Sequence, residues 1–341
     1  MSSTGASNNG AVTTLLSAIL ILAVIVLVGV AVAATSTFTE SAEAEPGPLL
    51  VDASTVVPTI TLSPTSTPTS TPTPTDTPLP SATPEPSLTP TPQSGAPAAT
   101  ALGSRPQPDG VQRTARVPIL MYHYISAPPD LGDRLRVDLS VLPGNFDAQM
   151  RWLAENNYHT ITLTDLYTHL AIGAPLPENP IILTFDDGYV DHYENALPIL
   201  QKYGFTGVFF VLAGPADVAS PRYLTWEMIA EMSAAGQDMQ VHGRAHVDLR
   251  RRPGEFLFFQ IVGARQAIEA HTGRPAPFFS YPAGQYDANV LRFLSERDFW
   301  MAVTTKYGRD HSLGSALELS RIRIRGGDSL QKFVSKVTSG R

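Results

Sequence analysis

Cysteine is absent from all 341 residues. That excludes a disulfide framework, thiolate metal ligands and lipid attachment through an N-terminal cysteine. The eight histidines and the carboxylates are left as the metal-ligating side chains. Basic residues are missing from the first 104 positions: all 24 Lys and Arg lie at or beyond Arg105, alongside 25 of the 31 Asp and Glu. The formal net charge of -7 therefore belongs mostly to the N-terminal segment, and the remainder is close to neutral. Without a basic surface there is no electrostatic footprint for nucleic acid, so none is expected as a partner.

The N-terminal segment has other contents. Residues 11–34 are almost wholly apolar, broken only by Thr13, Thr14 and Ser17. A signal peptide needs an apolar stretch of roughly 7–15 residues and a spanning helix about 20, so the length favours an anchor over residues 1–34. Ala31-Val32-Ala33 would also serve as a signal-peptide cleavage site, and no Lys or Arg precedes the run to set its orientation. Either way the rest is expected outside the cytoplasm, at the cell surface on a membrane anchor or secreted. Residues 46–97 are dominated by Thr, Ser and Pro, which bury too little apolar surface to offset ordering entropy. Residues 35–104 are expected to be a disordered stalk, O-glycosylated or bare. At ~3.1 Å per residue, fifty extended residues span on the order of 150 Å.

Residues 105–341 read differently. Short apolar runs predict strands at 117–122, 160–163, 181–185, 207–212, 239–242, 277–281 and 301–304, with a weaker one at 319–324. Between them apolar residues recur at helical spacing, as in Phe146, Met150 and Leu153, or Ile261, Ala264 and Ile268. This alternation over about 225 residues predicts an α/β fold with a parallel (β/α) barrel, in which chemistry sits at the C-terminal ends of strands. The run Pro180-Ile181-Ile182-Leu183-Thr184-Phe185 ends in Asp186-Asp187-Gly188. Alone, such a triplet is most simply a turn that caps a helix; as a site, its two neighbouring carboxylates call for a cation or a shared proton. His242 and His246 lie one turn apart if locally helical, and with Asp187 they make two imidazoles and a carboxylate. That set suits a divalent metal, most simply zinc, with a position open for water, whose pKa would fall toward about 7–9. Asp186 could then take the water's proton. A glycosidase acid pair would need carboxyls about 5–9.5 Å apart across a sugar bond, which is awkward for neighbours in sequence.

Thr184-Phe185-Asp186-Asp187-Gly188, the pair His242/His246, and Phe279-Ser280-Tyr281-Pro282-Ala283-Gly284 resemble the motifs of the polysaccharide deacetylase family, also called NodB-homology or carbohydrate esterase 4. The resemblance covers residues 117–337 and implies a distorted (β/α)7 barrel that removes acetyl groups from N-acetylated polysaccharide. It makes Asp186 the catalytic base, and Asp187, His242 and His246 the metal ligands. The backbone N–H of Ala283 becomes an oxyanion donor, and Tyr281 and Trp226 become candidates to stack on sugar, or core residues. There are departures. Ser280 stands where the family has a base-orienting Arg, which Arg321 or Arg323 could replace by pointing into the barrel. The Asp- and Trp-bearing motif has no counterpart beyond the nearby Asp298 and Trp300. The C-terminal Leu-x-His is missing, and Gly243 replaces a Ser or Thr, so one loop-bracing hydrogen bond is expected to be lost. Pro118-Ile119-Leu120-Met121-Tyr122-His123 and Phe146-Asp147-Ala148-Gln149-Met150 look like the poly-N-acetylglucosamine deacetylase branch, which assigns the general acid to His123, with His311 as runner-up. His159, His169, His192 and His271 are expected to be structural or solvated, and Arg250-Arg251-Arg252 solvated unless it meets an anionic glycan. The expectation is thus a monomeric metal-dependent hydrolase of poly-N-acetylglucosamine, peptidoglycan or chitin. The competing readings are an acetylxylan-type O-esterase and an inactive glycan-binding module.

Overall fold

A computed structural model describes residues 105–339; the apolar run and the whole of the expected stalk at 35–104 lie outside them. Seven parallel strands close on themselves in the order β2 (Ile119–Tyr122), β10 (Leu319–Arg323), β8 (Met301–Tyr307), β7 (Phe278–Ser280), β6 (Asp238–Gly243), β5 (Gly207–Leu212) and β4 (Pro180–Asp187), with β4 returning to β2. This is the α/β barrel expected from the alternating pattern. β4 gives one edge to β5 and splits the other: its first residues pair with β3 (His159–Thr160) and Ile182–Phe185 with β2.

Alternation along each strand sorts side chains into two layers. Ile119, Ile182, Val208, Phe210, Phe278, Met301, Val303 and Leu319 face inward and fill the lower barrel. Leu120, Tyr122, Leu183, Phe185, Phe209, Val241, Phe279 and Ile322 face outward beneath helices such as Pro143–Glu155 and Gly263–Thr272. In that outer layer Phe185 stacks on Phe209 with centroids 4.5 Å apart, and Tyr122 lies 5.3 Å from Phe185 on its other side. Continuing the inward set upward gives His123, Asp186, His242, Ser280, Thr305, Arg321 and Arg323. The period-two pattern that builds a dry core below thus delivers polar groups to one rim.

Three sequence expectations change. The strand expected at 160–163 stops at Thr160, because Thr162 caps the helix Leu163–Ile172 in a reciprocal box with Asp165. Two short strands, β1 (Thr114–Arg116) and β9 (Asp310–Ser312), form an antiparallel pair that carried no apolar run to announce it. With the helix Leu163–Ile172 and Trp300 they cover the barrel's N-terminal end. His311 lies in that pair, buried, its Nε2–H donating to Val117 O at 2.9 Å. It cannot be the runner-up acid, because it sits at the end opposite the rim.

Candidate active site

β4 carries Asp186 inward as the next position after Thr184, and the carboxylate arrives almost wholly buried. Its partner comes from β10, 135 residues away: Arg321 Nη1 donates to Oδ1 at 2.8 Å and Nη2 to Oδ2 at 2.7 Å. The same guanidinium also donates to Thr184 Oγ1, Ser280 Oγ and Thr304 O. All five of its N–H groups are therefore used. Burial alone would raise the Asp186 pKa; the Arg321 charge and hydrogen bonds outweigh it, and the carboxyl ends below its ordinary value. Ser280 Oγ donates to Asp186 Oδ2 at 3.3 Å, so Ser280 occupies the space of the expected β7 cation while β10 supplies that cation. Of the two arginines proposed as replacements, Arg321 is the one that meets Asp186.

Asp187 should point away from Asp186, since consecutive strand residues face opposite sides. Its backbone adopts φ +78, in the left-handed region that a β-carbon disfavours, and this turns its carboxylate back toward the rim. Gly188 follows at φ +71 with Val211 packed against its α-carbon, a position where an added methyl would be both strained and crowded. Asp187 Oδ1 then lies 3.1 Å from His242 Nε2 and 3.7 Å from His246 Nε2. One ligand atom from each of the three residues falls within 4.8 Å of the others.

His242 Nδ1–H donates to Ser280 O at 2.8 Å, which commits that nitrogen and aims Nε2 at Asp187. In the neutral ring Nε2 is an acceptor facing an acceptor, and Asp187 Oδ1 is buried without a hydrogen-bond donor. Such a gap calls for a cation or a proton. Burial would lower the His242 pKa, but the hydrogen bond and charge of Asp187 raise it above its ordinary value; Asp187, which burial alone would raise, is held low in turn. The donor set of two imidazole nitrogens and one carboxylate oxygen fits a divalent metal of the zinc type. His246 is reached through a bend rather than a helical turn: Gly243 at φ +110 ends β6, and Gln260 accepts from Arg244 N with its carbonyl and from Ala245 N with its side chain. Gln260 supplies the bracing that the absent hydroxyl at 243 would have given.

His123 closes the other side, at the end of β2. Its Nδ1 is buried without a partner, and its backbone carbonyl accepts a hydrogen bond from His192 Nε2. His192 is thus a buried structural residue, as expected. Burial pushes the His123 ring down to about 4 against the pull of Asp186 and Asp187, below the ordinary value for an imidazole. Ala283, exposed at φ +53, lies in a tight turn whose own bonds run from Gly284 N to Tyr281 O and from Gln285 N to Pro282 O. As an early residue of that turn its N–H is free of the ladder. Tyr281 reaches the wall, but its ring belongs to the outer layer, 4.4 Å from Tyr286, with its hydroxyl donated to Leu317 O. A sugar cannot stack on a face already covered.

These groups line one cavity of about 360 Å³ with Tyr124, Tyr189, Tyr223, Arg136 and Arg323. Tyr124 and Tyr189 stack at 3.7 Å, Tyr223 lies 5.2 Å from Tyr189, and the Arg136 guanidinium covers Tyr124. None of these aromatic residues stood out in the sequence, because each comes from a different loop or strand end. Trp226 stacks on His271 and donates to Asp217. Trp300 packs on Tyr167 at the far end, Asp298 pairs with Arg105, and Arg250 pairs with Asp248. None of these four lines the cavity.

Comparison with known proteins places this geometry. A profile described as polysaccharide deacetylase matches residues 173–301. YxkH of Bacillus subtilis, provisionally named a polysaccharide deacetylase, is 29% identical over 228 residues, covering 67% of this chain and 78% of that one. The poly-beta-1,6-N-acetyl-D-glucosamine N-deacetylase of Escherichia coli is 31% identical over 108 residues, 28% of this chain and only 16% of that longer protein. Among solved structures, the Streptococcus pyogenes deacetylase PplD in complex with acetate superposes with a TM-score of 0.62 at 26% identity, covering 66% of this chain and 99% of that one. A polysaccharide deacetylase from Bacillus cereus gives 0.58 at 27% identity, over 67% and 70%.

Proposed function

From the polysaccharide deacetylase domain that this chain carries, we propose a metal-dependent N-deacetylase of poly-N-acetylglucosamine, peptidoglycan or chitin-type polysaccharide. The carrying observation is the buried Asp186–Arg321 pair beside the Asp187, His242 and His246 cluster in one cavity. Asp187, His242 and His246 would hold the metal, zinc by the nature of the donors. When bound, it supplies a Lewis acid that makes water more acidic and polarises the acetyl carbonyl.

The chain's own groups do the rest. Arg321 keeps Asp186 ionised and aimed, so the carboxylate is ready to take the proton of the attacking water. The Ala283 N–H meets the oxygen that becomes negative as the carbonyl carbon turns tetrahedral. Collapse breaks the C–N bond, and His123 gives the departing nitrogen its proton. A ring held at about 4 is neutral at rest near pH 7, so the proton it hands to the nitrogen is the one that Asp186 took from the water, and its transfer restores both groups. The cluster Tyr124, Tyr189 and Tyr223 lines the cavity and gives a sugar an apolar wall to lie along, although the stacked faces of Tyr124 are already covered. The apolar run at 11–34 and the Thr/Ser/Pro stretch motivate placing this chemistry outside the cytoplasm, on a membrane anchor.

The test is acetate release by the full-length chain on chitooligosaccharide, peptidoglycan and acetylxylan, with and without chelator. Release from an N-acetylated glycan that stops with chelator and returns with zinc supports the reading. Release from acetylxylan alone would transfer the activity to ester hydrolysis.

A further inference from the structure

The cations of β10 and its surroundings all have acceptors, with one exception. Arg321 is fully satisfied on Asp186 and its neighbours. Arg325, two residues beyond the strand's end, binds both oxygens of Asp138 at 2.8 Å. Arg136 donates to Ser140 Oγ and Ser126 Oγ. Arg323 lies between these groups, half-buried in the cavity wall, and among the described residues its guanidinium has neither a hydrogen bond nor an ion pair. Only its backbone is engaged, its carbonyl accepting from Lys336 Nζ at 2.8 Å. Burial and the neighbouring Arg325 lower its pKa against the pull of Asp138 and Asp186, and its nitrogens, open to the cavity, keep their hydrogen-bonding capacity free for a partner. A cation left free to bond in the cavity wall, beside His123 and Asp186, points to a partner that arrives with the substrate.

Its position says where on the substrate that partner lies. Arg323 follows Arg321 by two residues, so it is the next inward position toward the rim. It pairs in register with Met121 of β2, two residues before His123. Arg323 thus sits one strand over from the residue assigned to protonate the departing nitrogen. A group it binds belongs to the sugar that bears the acetamido nitrogen, not to the acetyl side. The planar fork of an Arg favours carboxylate or phosphate, which it can bind with two parallel hydrogen bonds.

We propose that Arg323 is a specificity-determining residue that binds an anionic substituent, carboxylate or phosphate, next to the acetamido group of the substrate sugar. This rests on the deacetylase reading above and narrows its range of substrates to acidic N-acetylated glycans.

The experiment compares full-length wild type, Arg323→Gln and Arg323→Lys on three matched N-acetylglucosamine oligosaccharides. One is neutral, one carries a carboxyalkyl ether beside the acetamido group, and one carries a phosphate ester at the same place. Both kcat/KM for acetate release and Kd by titration are read at fixed ionic strength. Wild type should favour a charged substrate over the neutral one by roughly 10–100-fold, the scale of losing one close charge pair. Arg323→Gln should collapse that ratio in both readouts and Arg323→Lys should keep part of it. Whichever charged substrate shows the larger collapse identifies the anion. A ratio near one in wild type, or one that Arg323→Gln leaves standing, overturns the assignment. Acetate release from all three with a flat Kd ratio sinks the Arg323 assignment alone. No acetate from any, with the Kd ratio intact and dependent on Arg323, sinks the deacetylase reading alone.

Discussion

At the N-terminal end of the barrel Arg309 spreads its guanidinium over the carbonyls of Lys336, Val337 and Thr338, and His311 donates to Val117 O. Those side chains tie off a helix end and a strand junction. At the C-terminal rim the same residue types are held under tension. Asp187 and Ala283 adopt left-handed backbones at a cost on the order of 1–3 kcal/mol each. Asp187 Oδ1 and His123 Nδ1 are buried without partners, and Arg323 has no acceptor. The lower barrel is a dry layer of Ile, Val, Phe, Leu and Met packed on one another, and the buried unpaired atoms at its end, His311 Nδ1 and Asp238 Oδ2, share no cavity with a cluster of the rim's kind. The contrast teaches that function is marked by unsatisfied groups gathered on one cavity, as His123, Asp187 and Arg323 are, and not by a single unpaired His such as His192 or His311.

The largest expected effect is at the rim's cation site. His242→Ala should strip divalent metal from the purified protein and take acetate release to background, measured by elemental analysis beside activity. Full metal content in the variant would remove His242 from the ligand set.

The two ends can then be set against each other with histidines. His123→Ala should lower kcat by roughly 10²–10⁴-fold with metal retained, and by much less on an activated acetate ester, whose leaving group needs no proton. His311→Ala should cost about 1–2 kcal/mol of stability through its lost hydrogen bond and spare kcat. Metal loss in His123→Ala would make His123 a ligand, and no change at all would leave the acid unassigned.

Arg321→Met probes the tension more directly. Removing the cation strands a buried carboxylate, so denaturant unfolding should show a loss of about 3–5 kcal/mol. Freed from Arg321, Asp186 should titrate at higher pH, moving the acid limb of kcat/KM upward. An unshifted limb would mean that Arg321 is a structural strut and does not tune the base.

A last test takes a buried carboxyl at the base end, away from the chemistry. Asp238 starts β6 there, with Oδ2 buried and unpaired, and burial pushes its carboxyl up to about 6. The folded state therefore holds this proton more tightly than the unfolded state. Its stabilising contribution is complete below about pH 4 and disappears as pH rises through about 6. Asp238→Asn should raise stability at pH 7 by on the order of 2–3 kcal/mol and change little at pH 4. Thermal melts at both values decide it, and an equal shift at each would refute the titration.

Much of this was legible in the chain itself. The apolar runs marked all seven barrel strands, since a continuous run bounded by turn residues records burial on both faces. Asp186-Asp187 and the His242/His246 spacing pointed to one site, because strand ends on a parallel barrel share a rim. The strand expected at 160–163 was overextended, since Ile161 and Leu163 continue an apolar alternation while Thr162 and Asp165 end it with side-chain hydrogen bonds. β1 and β9 passed unseen because three-residue strands carry too little pattern.

The amino-acid order alone determined the barrel, the acidic pair, the histidine pair and His123 at the end of the first barrel strand, because each is a local matter of period, run length and neighbour identity. Only the tertiary structure decided that Asp187 turns back to stand beside Asp186, that Arg321 rather than Arg323 clamps the base, and that His311 lies at the wrong end. Those outcomes depend on one backbone angle and on strands 135 residues apart meeting across the barrel, and local periodicity does not encode which distant neighbour a side chain will find.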